Sequence, residues 1–482
     1  MADISQIRNG SPLNLGAQLA LTAKLSVPAI VAQLSTIIMQ YIDASMVGRL
    51  GADDSASIGL MNSSLWMFWG ICGNITTGFA VQVAHRLGAN DPSGARAVLR
   101  QSILSCLLLS LGVMAIGLSI AGALPGWLGG AENIRHGSTV YFSVFVAALP
   151  LLTMNYLGSA MLRSAGNMKV PALFNIGMCL VDIVLNFFLI FPSRVISLGG
   201  MELHVPGADL GVLGAALGTA GAECLCAVAV MTYLCRREKE LAIWKIGREG
   251  GYRLRKNVAV KAAKISGPMV FEHIVFCGAQ IMITSVVAPL GVVAIAANAF
   301  AVTAESLCYM PGFGIGEAAT TLIGQCYGAK RFALLKRFGY LTVWTGIAVM
   351  TVMAFVMYAA APLMMGILSP VEAIRDLGTE VLRIEAWAEP MYAASIVAYG
   401  VFIGVGDTLL PAAMNFGSIW LVRLPLAALM APTMGLQGVW IAMMIELIFR
   451  GVIFLWRLYS GRWLKHARNR DRGPLPTFEE AQ

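Results

Sequence analysis

Charge is what this chain has least of. Only 12% of its 482 residues are Asp, Glu, Lys or Arg, whereas 57% are apolar and the mean hydropathy is +0.73. Soluble domains carry roughly 25% charged residues, so a water-soluble fold is excluded and the bilayer is the natural solvent. Catalytic signatures are missing as well. There is no HExxH, no GxSxG and no P-loop, and the GFGIG at 312–316 follows no strand pattern, so hydrolase and nucleotide-binding readings fail and an enzyme is not expected. The nine cysteines are odd in number, include no CxxC pair and mostly lie inside apolar stretches, as with Cys72, Cys106, Cys179 and Cys277. Such residues read as small apolar packers, neither disulfides nor a zinc site. The first apolar stretch runs into Asp43 and the Gly48 to Gly51 turn without a small-residue cleavage site, so a removable signal peptide is not expected.

What the sequence does have is long apolar runs. Stretches of about twenty apolar residues match the ~30 Å hydrocarbon core, and twelve of them recur between 25 and 458, the first at 25–47. The fold class expected is an all-α polytopic membrane protein. Net charge is +8, but its distribution argues against nucleic acid. With both termini on one side, 27 of the 34 Lys and Arg fall on that side. Five fall on the other, Arg49, Arg135, Arg194, Arg375 and Arg383, while Arg423 and Arg450 lie within spans. The positive-inside rule then puts both termini in the cytoplasm. The domain plan is a cytoplasmic N-terminus 1–24, six spans over 25–235, a basic cytoplasmic linker 236–264, six spans over 265–458 and a basic tail 459–482. Membrane lipids are the expected neighbours of the basic linker, and a monomer is the expectation.

The two groups of six spans are copies. A shift of 240 residues pairs Pro28 with Pro268, Gln40 with Gln280, Gly88 with Gly328, Pro171 with Pro411 and Asn175 with Asn415. In the last span of each half the offset falls to 224, pairing Gly211 with Gly435 and Gly214 with Gly438, so the first half carries about sixteen extra residues before it. Six is even, so the halves share one orientation and are related by an axis along the membrane normal. Gly214 and Gly218 form one GxxxG, a signal for close helix packing.

Ionisable groups inside spans are expensive, at least ~2.5 kcal/mol at mid-bilayer, and mark candidate sites. In the first span Gln33, Thr36, Gln40 and Asp43 share one helical face; the fifth carries Asn175, Asp182 and Asn186, and the sixth Thr219 and Glu223. Two carboxylates among amide and hydroxyl oxygens suit either a proton or a hard cation held through oxygen. The second half offers Glu272 beside His273, Glu305 and Glu317 near Pro311 and three glycines, Glu385 and Glu389, and Glu446 four residues before Arg450. The Pro311 region predicts a broken or bent eighth helix. His273 reads as a packing donor, Glu446 with Arg450 as an intramembrane ion pair, and Glu385 with Glu389 either as solvated groups at the outer mouth or as part of a substrate site. The 26 methionines and aromatics such as Tyr309, Tyr392, Phe313 and Trp387 suit a soft cavity for flat amphipathic molecules.

Longer segments carry a family likeness: "YIDASMVGRLG" after Pro28, "GANDPSGARA", "LRSAGNMKVPALFN", "YMPGFGIGEAATTLIGQCYGAKR" and "IGVGDTLLPAAMN". With them nearly the whole chain resembles the multidrug and toxic compound extrusion (MATE) transporters. The resemblance implies a V-shaped pair of six-helix lobes in the cell inner membrane that expels organic cations or other amphipathic drugs in exchange for H⁺ or Na⁺. It implies a cation-coupling role for Asp43, Asp182 and Asn186, with Gln33, Asn175 and Thr219 around them; Asp43 and Asp182 would be metal ligands only if the ion is Na⁺. Substrate contacts are expected from Glu272, Gln40, Gln280, Tyr309, Glu389 and Tyr392. Tyr392 stands where some members have an aspartate partnering the seventh-span glutamate. No cofactor is expected beyond the coupling ion. A flippase for a lipid-linked substrate is the alternative, but it calls for a cationic cavity, and the candidate buried charges here are mostly acidic.

Overall fold

The computed structural model describes residues 3–198, 201–244 and 255–465. The middle of the basic linker and the end of the basic tail lie outside the described residues. Twelve membrane helices follow in order. In the first half they are α1 Leu15–Val47, α2 Ala52–Gly88, α3 Pro92–Ile120, α4 Glu132–Ser164, α5 Lys169–Leu189 and α6 Gly211–Arg237. In the second they are α7 Lys256–Val287, α8 Val292–Gly328, α9 Phe332–Leu368 and α10, which is split into Glu372–Glu385 and Glu389–Gly404. A final pair is drawn from Leu409–Ser418, Ile419–Arg423 and Leu424–Ser460, with α11 ending and α12 starting at Gly435, whose φ of 61° and ψ of −143° break the helix. Nine helical stretches among the described residues are long and apolar enough to cross a membrane. The count reaches twelve because the interior of α2 is diluted by Ser, Asn, Thr and Gly, α10 is split, and α11 with α12 count there as one.

Three local expectations change. The first helix starts ten residues earlier than 25, capped by Asn14, whose side chain accepts from the amide of Ala17 at 2.8 Å. The eighth helix is continuous through Pro311. Its glycines serve close packing: a side-chain carbon on Gly314 would lie 2.7 Å from the backbone nitrogen of Ile30. The break falls instead in α10, at 386–388, just before Pro390, which has no N–H to continue the ladder. In α11 a π turn at Ile419–Arg423 precedes Pro425, which likewise frees a carbonyl one turn back. The extra residues of the first half form an antiparallel hairpin, β1 Pro192–Leu198 with β2 Met201–Ala208.

The repeat is visible as a two-fold axis between α2 and α8. Across it α1 packs on α8 and α2 on α7, contacts that exchange under the 240-residue shift. A side-chain carbon on Gly88 would sit 2.2 Å from the Gln325 carbonyl oxygen, and one on Gly328 1.9 Å from that of His85. His85 and Gln325 are themselves 240 apart. His85 Nε2 meets the Gly404 carbonyl at 2.7 Å, and Gln325 Nε2 donates to the Ser164 carbonyl at 2.7 Å, another pair 240 apart. Both bonds are buried and cross between lobes at the end of the bundle that carries the amino terminus. There the short turn Ser5–Arg8 adds a further tie: Arg8 pairs with Glu240 and donates to Gln325 at 2.8 Å, while Arg331 donates to the carbonyls of Gln6 and Ser11.

Candidate functional site

Polar groups converge inside the first lobe where α1, α5 and α6 meet. Asp182 and Asn186 are one turn apart on α5, and both are fully buried. Asn186 Nδ2 donates to Asp43 Oδ1 at 2.9 Å and to Asp182 Oδ2 at 3.2 Å, with Thr219 Oγ1 at 3.5 Å. The two carboxyls face each other across this amide. No ion pair to either acid is present among the described residues. Asp182 Oδ1 and Asn186 Oδ1 are buried with no hydrogen-bond partner, two acceptors held out of water. The GxxxG makes this possible. A side-chain carbon on Gly218 would lie 2.0 Å from Asn186 Oδ1, and one on Gly214 2.4 Å from the Leu189 carbonyl oxygen, so only glycine lets α6 lie this close to α5.

Other residues of the expected coupling set are placed elsewhere. Asn175 braces α5 to α1, donating to the Ala32 carbonyl at 2.9 Å and to Thr36 Oγ1 at 3.0 Å. Gln33 points across the lobe interface to Glu317 at 3.5 Å, which also pairs with Arg163 at 3.7 Å. Two groups missed by the sequence reading join the cluster from α4. Asn155 Nδ2 donates to Glu223 at 2.8 Å, and Tyr141 stands against Asp43 and Asp182. Only their polarity within an apolar span hints at this. A pocket of about 660 Å³, lined by Tyr41, Ile42, Arg49, Phe187 and Phe191, opens at the far ends of α1 and α5; neither Asp43 nor Asn186 lines it.

The expected substrate residues fall into three groups. Glu272 lies between Asn415, which donates to it at 2.5 Å, and the Tyr399 hydroxyl, which also donates to it. Tyr309 and Tyr392 form a T-shaped pair with centroids 5.7 Å apart, and Phe313 joins Tyr309 at 5.9 Å. Glu389 lies behind these rings, fully buried, as does Glu385. The solvated-mouth reading of that pair is therefore wrong: the break in α10 turns both carboxyls inward. Gln40 and Gln280 are exposed and join neither group. His273 meets the Trp66 carbonyl at 3.2 Å across the lobe interface, a packing contact. Glu446 pairs with Arg450 at 2.6 Å as expected, and also with Arg423 at 2.8 Å.

Comparison with known proteins fits this geometry. The MatE family model matches residues 28–188 and 268–429, one match in each half. The chain is 25% identical to a probable multidrug resistance protein NorM of Thermotoga maritima, covering 92% of this chain and 93% of that one. It is 26% identical to a NorM of Pseudomonas aeruginosa, covering 86% and 84%. A crystal structure of MATE in complex with MaL6 superposes with a TM-score of 0.85 at 18% identity, covering 96% of this chain and all of that one. A MOP superfamily transporter from Pyrococcus furiosus, described as having reversed polarity of its binding pocket, gives 0.83 at 19% identity over 93% and 99%. With the family model matched in both halves of an internally repeated, twelve-helix membrane fold, the chain belongs to the MatE family of efflux transporters.

Proposed function

We propose that this multi-pass membrane protein is a secondary antiporter that exports cationic or amphipathic drug-like molecules in exchange for H⁺ or Na⁺. The observation that carries the reading is the Asp43, Asp182 and Asn186 cluster: two acids sharing one amide, with two acceptor oxygens unpartnered in a buried site. A proton or a monovalent cation arriving there removes a buried charge that costs several kcal/mol unpaired. The charge change biases how α1 packs on α5 and α6, and α1 also packs on α8 of the other lobe. A two-state lobe that responds to ion occupancy has the coupling free energy an antiporter needs. Among the described residues no group of three or more His, Cys, Asp and Glu is arranged around a metal, so Na⁺ would rely on amide and hydroxyl oxygens such as those of Asn186 and Thr219.

Cationic cargo is favoured by the charge around the break in α10, where Glu305, Glu385, Glu389 and Glu446 are buried with Arg423 and Arg450; the other buried arginines, Arg96, Arg100 and Arg457, lie near helix ends, Arg457 paired with Asp407. A flippase for an anionic lipid-linked substrate would call for the opposite balance. The termini belong on the cytoplasmic side, so the His85 and Gln325 contacts seal the cytoplasmic end. Single cysteines at Gly250 and Arg468, in a cysteine-free background, are expected to label from the cytoplasm and one at Asp376 from outside. Dye uptake into everted vesicles, energised in turn by a pH gradient and by a Na⁺ gradient, tests the function and names the ion. Absence of efflux under both gradients would overturn the reading.

A further inference from the structure

On the side of the membrane that carries the amino terminus, the second lobe presents an aromatic and basic surface. It lies where the start of α9 approaches the end of α12. Tyr340 of α9 and Tyr459 of α12 stack, with ring centroids 5.0 Å apart and planes 20° from parallel. Trp344, one turn further along α9, donates its indole N–H to the Tyr459 hydroxyl at 2.8 Å. The Lys336 ammonium stands 5.6 Å from the centre of the Tyr340 ring, and the Arg462 guanidinium 5.3 Å from that of Trp456. Trp344, Trp456 and Tyr459 are 54%, 60% and 51% exposed, so the arrangement is not core packing.

The internal repeat shows that the scaffold does not require these residues. Shifted by 240 along α9 and by 224 along α12, the six positions hold Arg96, Arg100, Leu104, Thr232, Cys235 and Glu238 in the first lobe. No aromatic ring is among them. Arg96 and Arg100 are also buried, Arg96 donating to the Glu240 carbonyl at 3.2 Å. The second-lobe surface, by contrast, is uniformly basic. The chain has no Asp or Glu from 318 to 371 or from 447 to 470, so no acid flanks Lys336 or Arg462 along either helix. Both are exposed, and among the described residues neither forms an ion pair. Their neighbours Arg331 and Arg457 are already engaged, the first by the Gln6 and Ser11 carbonyls and the second by Asp407.

The polar groups here offer protons. Lys336 and Arg462 are donors only, and the Tyr459 hydroxyl, already accepting from Trp344, has its own O–H left to donate. Such a set matches an anionic group rich in acceptor oxygens. Further into the membrane the same helix faces turn apolar: Val352 and Phe355 follow Trp344 on α9, and Val452 precedes Trp456 on α12, all of them exposed. We propose that this surface binds an anionic phospholipid, its phosphate held by Lys336, Arg462 and the Tyr459 hydroxyl and its acyl chains laid along α9 and α12. The tyrosine and tryptophan rings then sit at headgroup level, where amphipathic aromatics are most at home. The site stands apart from the antiport reading. Only the identity of its leaflet, the cytoplasmic one, rests on the placement of the termini.

The test titrates the purified full-length protein in detergent with phosphatidylglycerol brominated on its acyl chains and reads the quenching of tryptophan fluorescence. Each cation at a lipid surface strengthens the hold on anionic lipid about fivefold, so two should favour brominated phosphatidylglycerol over brominated phosphatidylcholine by about thirtyfold. In the Lys336→Gln, Arg462→Gln double variant the two lipids should bind alike, whereas Lys336→Arg, Arg462→Lys should keep the preference. Trp344→Phe with Trp456→Phe should remove the saturable quenching. Equal affinities for the two lipids in the unsubstituted protein would overturn the site, as would a preference that survives in the double glutamine variant. Displacement of the brominated lipid by inorganic phosphate alone would also overturn it, since the site would then be one for a small anion. A reversed orientation, read separately by the labelling at Gly250 and Asp376, would overturn the leaflet assignment alone.

Discussion

Where α1 meets α5, Asn175 donates to the backbone carbonyl of Ala32; where α7 meets α11, its repeat partner Asn415 donates to Glu272, which occupies the position of Ala32. The same asparagine thus serves a bare carbonyl in one lobe and a carboxylate in the other. The reverse also holds. Asp43 and Asp182 correspond to Ile283 and Val422, and Glu305, Glu385 and Glu389 correspond to Leu65, Phe145 and Leu149. Duplication preserved the helix scaffold and its packing glycines, while the ionisable groups were placed independently in each lobe. In the first lobe one amide knits two acids together. In the second, one acid is locked by two arginines, one is held by an amide and a hydroxyl, and two are left without partners.

The largest effect is expected from breaking the first-lobe pair. Asp43→Asn keeps the shape and removes the charge, so insertion should be normal while coupled dye uptake into everted vesicles falls by about tenfold or more, within the usual range of coupling factors. Asp182→Asn should be nearly as harmful. Full efflux by well-expressed Asp43→Asn protein would falsify the assignment.

Next comes stability in the second lobe. Glu446→Gln leaves Arg423 and Arg450 buried without their counter-charge, and breaking a buried pair in this way costs about 3–5 kcal/mol. The expected result is a clear drop in the thermal unfolding midpoint in detergent. A midpoint unchanged from the unsubstituted protein would show that the arginines find other acids, with Glu385 the nearest candidate.

The two-fold interface gives a matched pair of intermediate size. Gly88→Val and Gly328→Val each drive a side chain into a backbone carbonyl across the axis, and such overpacking costs about 1–3 kcal/mol. The two variants should lose transport and stability by similar amounts. A large inequality would mean the lobes are not equivalent at this contact. Smallest is Glu272→Gln, whose amide oxygen still accepts from Asn415 while its NH2 faces the Tyr399 hydroxyl, which can turn to accept. Substrate affinity, measured by competition with a fluorescent cation, should weaken by more than ion coupling does. Loss of ion binding with intact drug binding would move the coupling site to the second lobe.

Sequence alone determined the solvent, the twelve helices, the duplication and the residue types of the first-lobe cluster. Each of these is a local or periodic property: apolar length against bilayer thickness, the offset of 240, and polar residues spaced on one helical face. Tertiary structure decided which of those residues meet. Gln33 and Asp43 share a face of α1, yet Gln33 turns to the other lobe and Asp43 to α5, because a helix of 33 residues packs against different neighbours along its length. Glu385 and Glu389 look in sequence like groups at a solvated mouth. They are buried because Pro390 breaks α10 between them and α8, α11 and α12 close around the break, a consequence of long-range packing that no local pattern encodes.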